Sequence, residues 1–180
     1  MFVSDRVEGF AVAAVSEVDA STLSTFLEES SRDSGLCDAT YLPSSMTFEQ
    51  AGRWAAARAS SAWVLLVDGR AVGWWEFAPV KSSCGFALPG NTFEREVWLL
   101  EGFRGRRLVQ EATRMLRPEL LRLGVQFLLG VTWDTNVSAI RGMSRAGFVR
   151  LGRGWWQWCS ESPGWCEVWL LELVDGAGAV

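Results

Sequence analysis

The sequence predicts a mixed α/β (α+β) fold built on one central sheet. Three observations carry that reading. Apolar runs of strand length recur along the chain, interleaved with segments whose apolar residues return every three or four positions. No repeat, low-complexity tract or linker divides the 180 residues, so 1–180 reads as one domain. Hydrophobic residues make up 49% and charged residues 21%. That is enough apolar surface for a core without a metal or disulfide staple, and it excludes disorder as the main state.

Each element follows in order. Phe10–Val15 is a short apolar strand. Ser21–Glu29 places Leu23, Phe26 and Leu27 at helical spacing, and 35–45 reads as loop. Thr47–Ala57 is a second helix, with Thr47 and Glu49–Gln50 as its start and Phe48, Ala51, Trp54 and Ala55 as its stripe. Ala62–Val67 and Ala71–Phe77 form a hairpin about Asp68-Gly69, a dipeptide that tolerates the left-handed backbone of a tight turn. A Pro- and Gly-containing loop, 78–91, precedes a strand over Phe93–Leu100. Arg106–Leu123 carries an apolar stripe closed by Gly124, with Pro118 expected to kink it. Val125–Trp133 is continuously apolar, as expected of a strand buried on both faces. Asn136 caps a helix over Val137–Ala146, which Gly147 ends. Phe148–Trp158 and Trp165–Leu173 are the last strands. The expected order is strand, two helices, three strands, helix, strand, helix, two strands.

Composition narrows the function. The net charge of −4 argues against a nucleic-acid partner. There is no histidine, which removes imidazole catalysis and histidine–metal sites; no metal site is expected. Lys81 is the only lysine, and 11 Trp are present. No apolar run reaches the ~18 residues of a membrane span. With Asp5 and Glu8 early in the chain and no leader pattern, the expected setting is the cytoplasm. Cys37, Cys84, Cys159 and Cys166 form no CxxC pair and read as free buried thiols; a Cys159–Cys166 bridge across the last hairpin is the lesser alternative.

The chemistry concentrates after the fourth strand. In Val97-Trp-Leu-Leu-Glu-Gly-Phe-Arg-Gly-Arg-Arg-Leu-Val109 a strand meets a short Arg/Gly turn and a helix begins at once. Such a turn aims several backbone N–H groups, and the positive end of the helix dipole, at one spot suited to a pyrophosphate. Six Arg against two Glu between Phe103 and Arg122 give a local +4 inside a −4 protein. A solvated Arg-rich helix face is the other reading of that charge. Some 30 residues on, Asn136, Ala139, Met143, Arg145, Gly147 and Phe148 mark a second strand–helix–return unit.

Together, over about 62–156, these two segments resemble the GNAT family of acyl-CoA-dependent N-acyltransferases. Arg104-Gly105-Arg106 stands where the family begins its Arg/Gln-x-x-Gly-x-Gly/Ala motif. Asn136, Ala139, Arg145, Gly147 and Phe148 match the second motif. The resemblance implies a single mostly antiparallel, six- to seven-stranded mixed sheet, splayed between strands 4 and 5, with about four helices. It implies acetyl-CoA, or a longer acyl-CoA, as co-substrate, held by Leu99, Leu100, Arg104, Gly105, Arg106, Arg107, Leu108, Val109 and Asn136. The implied reaction is direct acyl transfer to a small-molecule amine, without a membrane partner and with a homodimer left open. A GNAT-fold protein that has lost transfer chemistry and binds a ligand or partner is the alternative.

The departures are specific. Arg107 and Val109 replace the two later motif glycines, and Met143 replaces the tyrosine that would protonate the leaving thiolate. A thiolate of pKa ~8.5 leaves without full protonation, so Met143 slows the reaction rather than forbidding it. The acceptor amine must lose a proton. Without histidine, the candidate bases are Glu94 and Glu96 on one face of the fourth strand, Glu76 on the third, and Asp134 after the fifth. A backbone N–H near Leu99–Leu100 would stabilise the oxyanion. Trp74, Trp75, Trp156 and Trp158 are expected to form an aromatic acceptor wall; ordinary core packing is the competing role of each.

Overall fold

A computed structural model describes residues 1–33, 36–37, 40–80, 85–156 and 164–173, without the Trp156 side chain. Its elements are β1 (Phe2–Val3), β2 (Phe10–Ala14), α1 (Ala20–Ser30), α2 (Phe48–Ala56), β3 (Ala62–Val67), β4 (Arg70–Pro79), β5 (Thr92–Leu99), α3 (Leu108–Arg122), β6 (Phe127–Trp133), α4 (Val137–Arg145), β7 (Val149–Trp156) and β8 (Gly164–Glu172). The described residues form one eight-stranded sheet in the order β1-β2-β3-β4-β5-β6-β8-β7. The expected strands are all present. The additional one is the two-residue β1, too short to leave a pattern in the sequence. As a result β5 and β6 are the fourth and fifth expected strands.

Local chemistry sets the ends. Asp19 caps α1 by accepting the Thr22 amide at 2.8 Å. Thr47 and Gln50 cap α2 reciprocally, each accepting the other's backbone N–H. Asn136 Oδ1 accepts from the Ala139 amide at 3.1 Å to begin α4. Asp68 and Gly69 both take positive φ, 49° and 77°, the geometry a two-residue hairpin turn requires. α3 runs on through Pro118.

Alternate side chains divide between two cores. Trp63, Leu65, Trp75, Phe77 and Leu99 pack with Leu108, Ala112 and Leu116 of α3. Val64, Leu66, Trp74 and Trp98 pack with Leu23, Phe26 and Leu27 of α1 and Ala51 and Ala55 of α2. The sheet is thus sandwiched by α3/α4 on one face and α1/α2 on the other. No helix among the described residues is long and apolar enough to cross a membrane.

The sheet also splits. β5 and β6 are its parallel neighbours, and they pair over three positions only: Thr92↔Phe127, Phe93↔Leu128 and Glu94↔Leu129. Beyond Glu94, β5 stays with β4 as far as Gly73↔Leu99, while β6 stays with β8 as far as Trp133↔Cys166. Each strand keeps its outer partner and loses its inner one. A V-shaped opening results, widening toward the C-terminal ends of both strands.

Candidate active site

The V is the floor of a cleft of about 510 Å³. Residues 94–99 of β5 and Val131–Thr132 of β6 form its sides. The turn at Arg104–Gly105 and the start of α3 border its wide end, α4 roofs it, and Tyr41 borders the opposite face.

Backbone polarity follows from the β4–β5 ladder. The Leu100 amide donates to the Val72 carbonyl at 2.9 Å, so it is spent on the sheet. Successive residues of an antiparallel strand turn their N–H and C=O to opposite sides. The Leu99 and Val97 amides therefore face the V. The Leu99 carbonyl confirms the direction, because it accepts from Arg104 Nε at 3.0 Å across the cleft mouth. Of the two residues expected to offer an oxyanion donor, Leu99 is turned to the cleft and Leu100 is not.

At the mouth, Gly105 and Arg107 both hold left-handed backbone, φ 78° and 61°. The first helical hydrogen bond of α3 runs from the Glu111 amide to the Arg107 carbonyl. The amides of Leu108, Val109 and Gln110 thus have no partner within the helix, and the side chain of the N-cap residue, Arg107, does not cap this end. Arg107 takes the φ that a motif glycine would supply and lies exposed on the cleft rim. Arg104 lines the same rim and reaches Asp33 at 3.6 Å. Arg106 turns away and packs over the Phe103 ring at 5.6 Å. Leu108 puts its side chain in the core, Val109 packs against the same core, and Asn136 caps α4 beside the cleft. Free amides, two rim guanidiniums and a long cleft are a donor set that fits a diphosphate followed by a slender thioester arm.

The expected bases separate. Glu94 is buried and accepts from the Tyr41 hydroxyl at 3.1 Å; Glu96, half-buried, accepts the Tyr41 amide at 2.9 Å. Both line the cleft on its α1/α2 face. Glu76 lies opposite Glu96 in the ladder and is bound by the Trp74 indole and Arg58. Asp134 is outside the cleft lining and is committed to Arg153 through an ion pair. The loop after β6 directs it toward β7, so it is not placed to serve the cleft.

The aromatic wall needs correction. Trp74 and Trp75 are both 0% exposed. β4 is covered on both faces, so adjacent tryptophans enter opposite cores. Trp74 donates to Glu76, and Trp75 donates to Thr113 Oγ1 at 3.3 Å. Neither borders the cleft. Trp158, the Trp156 side chain, Cys84 and Cys159 lie outside the described residues, while Cys37 and Cys166 are buried thiols.

Two cleft residues escaped the sequence reading. Tyr41, the chain's one tyrosine, comes from a segment without periodicity. Arg95 lies between Glu94 and Glu96, and strand alternation sends it to the face they avoid. It is buried there with its guanidinium 4.6 Å from the Phe148 ring centroid. Met143 is buried against β6, where a Cβ on Gly130 would stand 2.6 Å from its sulfur.

No family model and no curated protein matches the sequence. Solved structures do match in shape. The ribosomal-protein-S5-alanine acetyltransferase of Vibrio fischeri superposes with a TM-score of 0.74 at 13% identity, covering 96% of this chain and 98% of its own. A GNAT-family acetyltransferase of Bacillus anthracis gives 0.70 at 14%, covering 96% and 98%. YncA of Salmonella typhimurium, solved with its cofactor acetyl-CoA, gives 0.69 at 16%, covering 95% and 98%. The chain therefore has the fold of these acetyltransferases, with the splayed sheet expected of it.

Proposed function

We propose that this chain, as one domain, is an acyl-CoA-dependent N-acyltransferase that moves an acyl group directly from the thioester to an amine, most simply acetyl to a small-molecule amine. The observation that carries the reading is the alignment of the V between β5 and β6 with the unspent amides of Leu108, Val109 and Gln110. The thioester supplies an electrophilic carbonyl and a thiolate leaving group. Arg104, Arg107 and the α3 amides bind its diphosphate. The Leu99 and Val97 amides point into the V, where a carbonyl oxygen gaining charge would accept from one of them. Glu96, half-buried on the α1/α2 face, takes the ammonium proton directly or through a water, with Glu94 and Tyr41 fixing its surroundings. Met143 offers no proton, so the thiolate leaves to solvent.

The acceptor would approach from the α1/α2 face, because that is the side on which Glu96 and Tyr41 lie. A protein N-terminus is a second reading, favoured by the likeness in fold to an enzyme named for ribosomal protein S5. A thiol-release assay over a panel of amines and of peptides with free α-amines tests both, alongside calorimetry with CoA. Turnover with small amines supports the first reading, and turnover confined to peptides supports the second. CoA binding without turnover indicates a protein that kept the site and lost the chemistry. Absence of both binding and turnover overturns the assignment.

A further inference from the structure

The cleft contains a charge the transfer reaction does not require. Arg95 is nine-tenths buried and lines the cleft, yet its Nε has no hydrogen-bond partner and no carboxylate among the described residues forms an ion pair with it. The flanking Glu94 and Glu96 point to the other face of β5. On its own face are Val97, Leu99 and α3. The Phe148 ring holds the guanidinium from one side at 4.6 Å. Phe148 is itself braced on β6, where a Cβ on Gly130 would come within 3.3 Å of the ring. The position is fixed, and the charge has no carboxylate partner among the described residues.

Its place along the V is equally specific. β5 and β6 last pair at Glu94↔Leu129, so Arg95 is the first residue past the closed end. The amide cradle lies at the open end, beyond Leu99, roughly 13 Å away along the strand. A thioester anchored by its diphosphate at the cradle presents its acyl terminus to Arg95.

We propose that Arg95 is the receptor for a carboxylate at the far end of the acyl group, and that the preferred donor is a CoA thioester of a short dicarboxylic acid. This rests on reading the cleft as an acyl-CoA site. A guanidinium meets a carboxylate through two parallel N–H···O bonds, which neither an acetyl methyl nor a longer alkyl chain can accept. Burial lowers the Arg95 pKa to about 10, which still leaves it charged at neutral pH. In the transfer the amine nitrogen bonds to the thioester carbonyl carbon, the C–S bond breaks, and the sulfur leaves with the electron pair. The amine proton passes to Glu96 or water, and the distal carboxylate stays unchanged on the product.

Calorimetry with CoA, acetyl-CoA, succinyl-CoA and the neutral succinamoyl-CoA tests this on the wild-type chain. Succinyl-CoA is expected to bind about tenfold or more tightly than either acetyl-CoA or succinamoyl-CoA, the scale of a charge-assisted pair. Arg95→Met is expected still to bind CoA but to lose the preference. Equal affinities in the wild type, or a preference that survives Arg95→Met, overturn the proposal and leave the acyl-CoA reading standing. Failure to bind CoA itself overturns both. The succinyl/succinamoyl comparison needs no variant, so it decides the matter even if Arg95→Met does not fold.

Discussion

Replacing Arg107 separates two roles that one residue holds at the mouth of the cleft. Its backbone sits at φ 61°, ψ 14°, immediately before α3. A left-handed conformation costs a residue with a Cβ about 1–2 kcal/mol. Glycine there removes that strain but adds unfolded-chain entropy of about 0.4–1 kcal/mol. Arg107→Gly should therefore be more stable than Arg107→Ala by about 0.5–1 kcal/mol, or roughly 1–4 °C in Tm for a chain of this size. Using alanine as the reference cancels the loss of the guanidinium, which both variants share. Both variants remove a cation from the positive end of a helix, worth about 0.3–1 kcal/mol. The side chain is exposed and makes no ion pair among the described residues, so no packing is lost with it. Binding should move the other way. If Arg107 contacts the diphosphate, both variants lose about tenfold in CoA affinity, the magnitude of one hydrogen bond to a charged group. Thermal denaturation and calorimetry on the three proteins read both quantities. A glycine variant no more stable than the alanine variant refutes the strain argument. Unchanged CoA affinity in both refutes the rim as a phosphate site.

Other expectations follow from individual contacts. Glu96→Gln should lower kcat by about 10²-fold or more while leaving CoA affinity within about twofold, because a proton acceptor acts in the chemical step; a kcat near wild type would point to water alone. Glu111 is held below its ordinary value of 4.5, first by hydrogen bonds from Arg114 and then by the Ser4 hydroxyl at 2.6 Å, with burial opposing. A depressed carboxyl contributes stability above pH 4.5 that is lost as pH falls through the lower folded value. Glu111→Gln should cost about 1–2 kcal/mol at pH 7, discounted for the partly exposed Arg114, and flatten the acid limb of a denaturation-versus-pH series. The Cys166 thiol is pushed up to about 12, by burial first and by Asp134 second. At pH 8 it should resist iodoacetamide in the native protein and react only after denaturation, as mass spectrometry of its peptide would show.

Much of the frame was legible because its signals are local. Thr47, Asn136 and Asp68-Gly69 each satisfy backbone groups within three residues, so spacing alone located the helix starts and the hairpin. The strand order was not local: β8 inserts between β6 and β7, a pairing set by which apolar faces meet rather than by any turn. Trp74 and Trp75 show how a correct premise led to a wrong role. Alternation does send them to opposite faces, and the apolar run Ala71–Trp75 carried the same sign of two-sided burial that was read for Val125–Trp133.

The candidate site was legible where it is made of backbone or of side chains on its own strand and turn, such as Glu94, Glu96, Arg104 and Arg107. A turn that ends a strand and starts a helix leaves amides unspent whatever its side chains, so the proposed cradle does not depend on glycine at 107 and 109: Arg107 accepts the strained φ that glycine would take freely. Side-chain partners brought in from afar left no such trace. Tyr41 reaches Glu94 and Glu96 across more than fifty positions, and only the fold reveals it. Arg95 was within reach. A strand reading Phe-Glu-Arg-Glu-Val that buries one face against α3 must bury its arginine there. A buried arginine with no carboxylate partner among the described residues is the kind of group whose charge calls for a partner, which is why that partner is sought in the ligand.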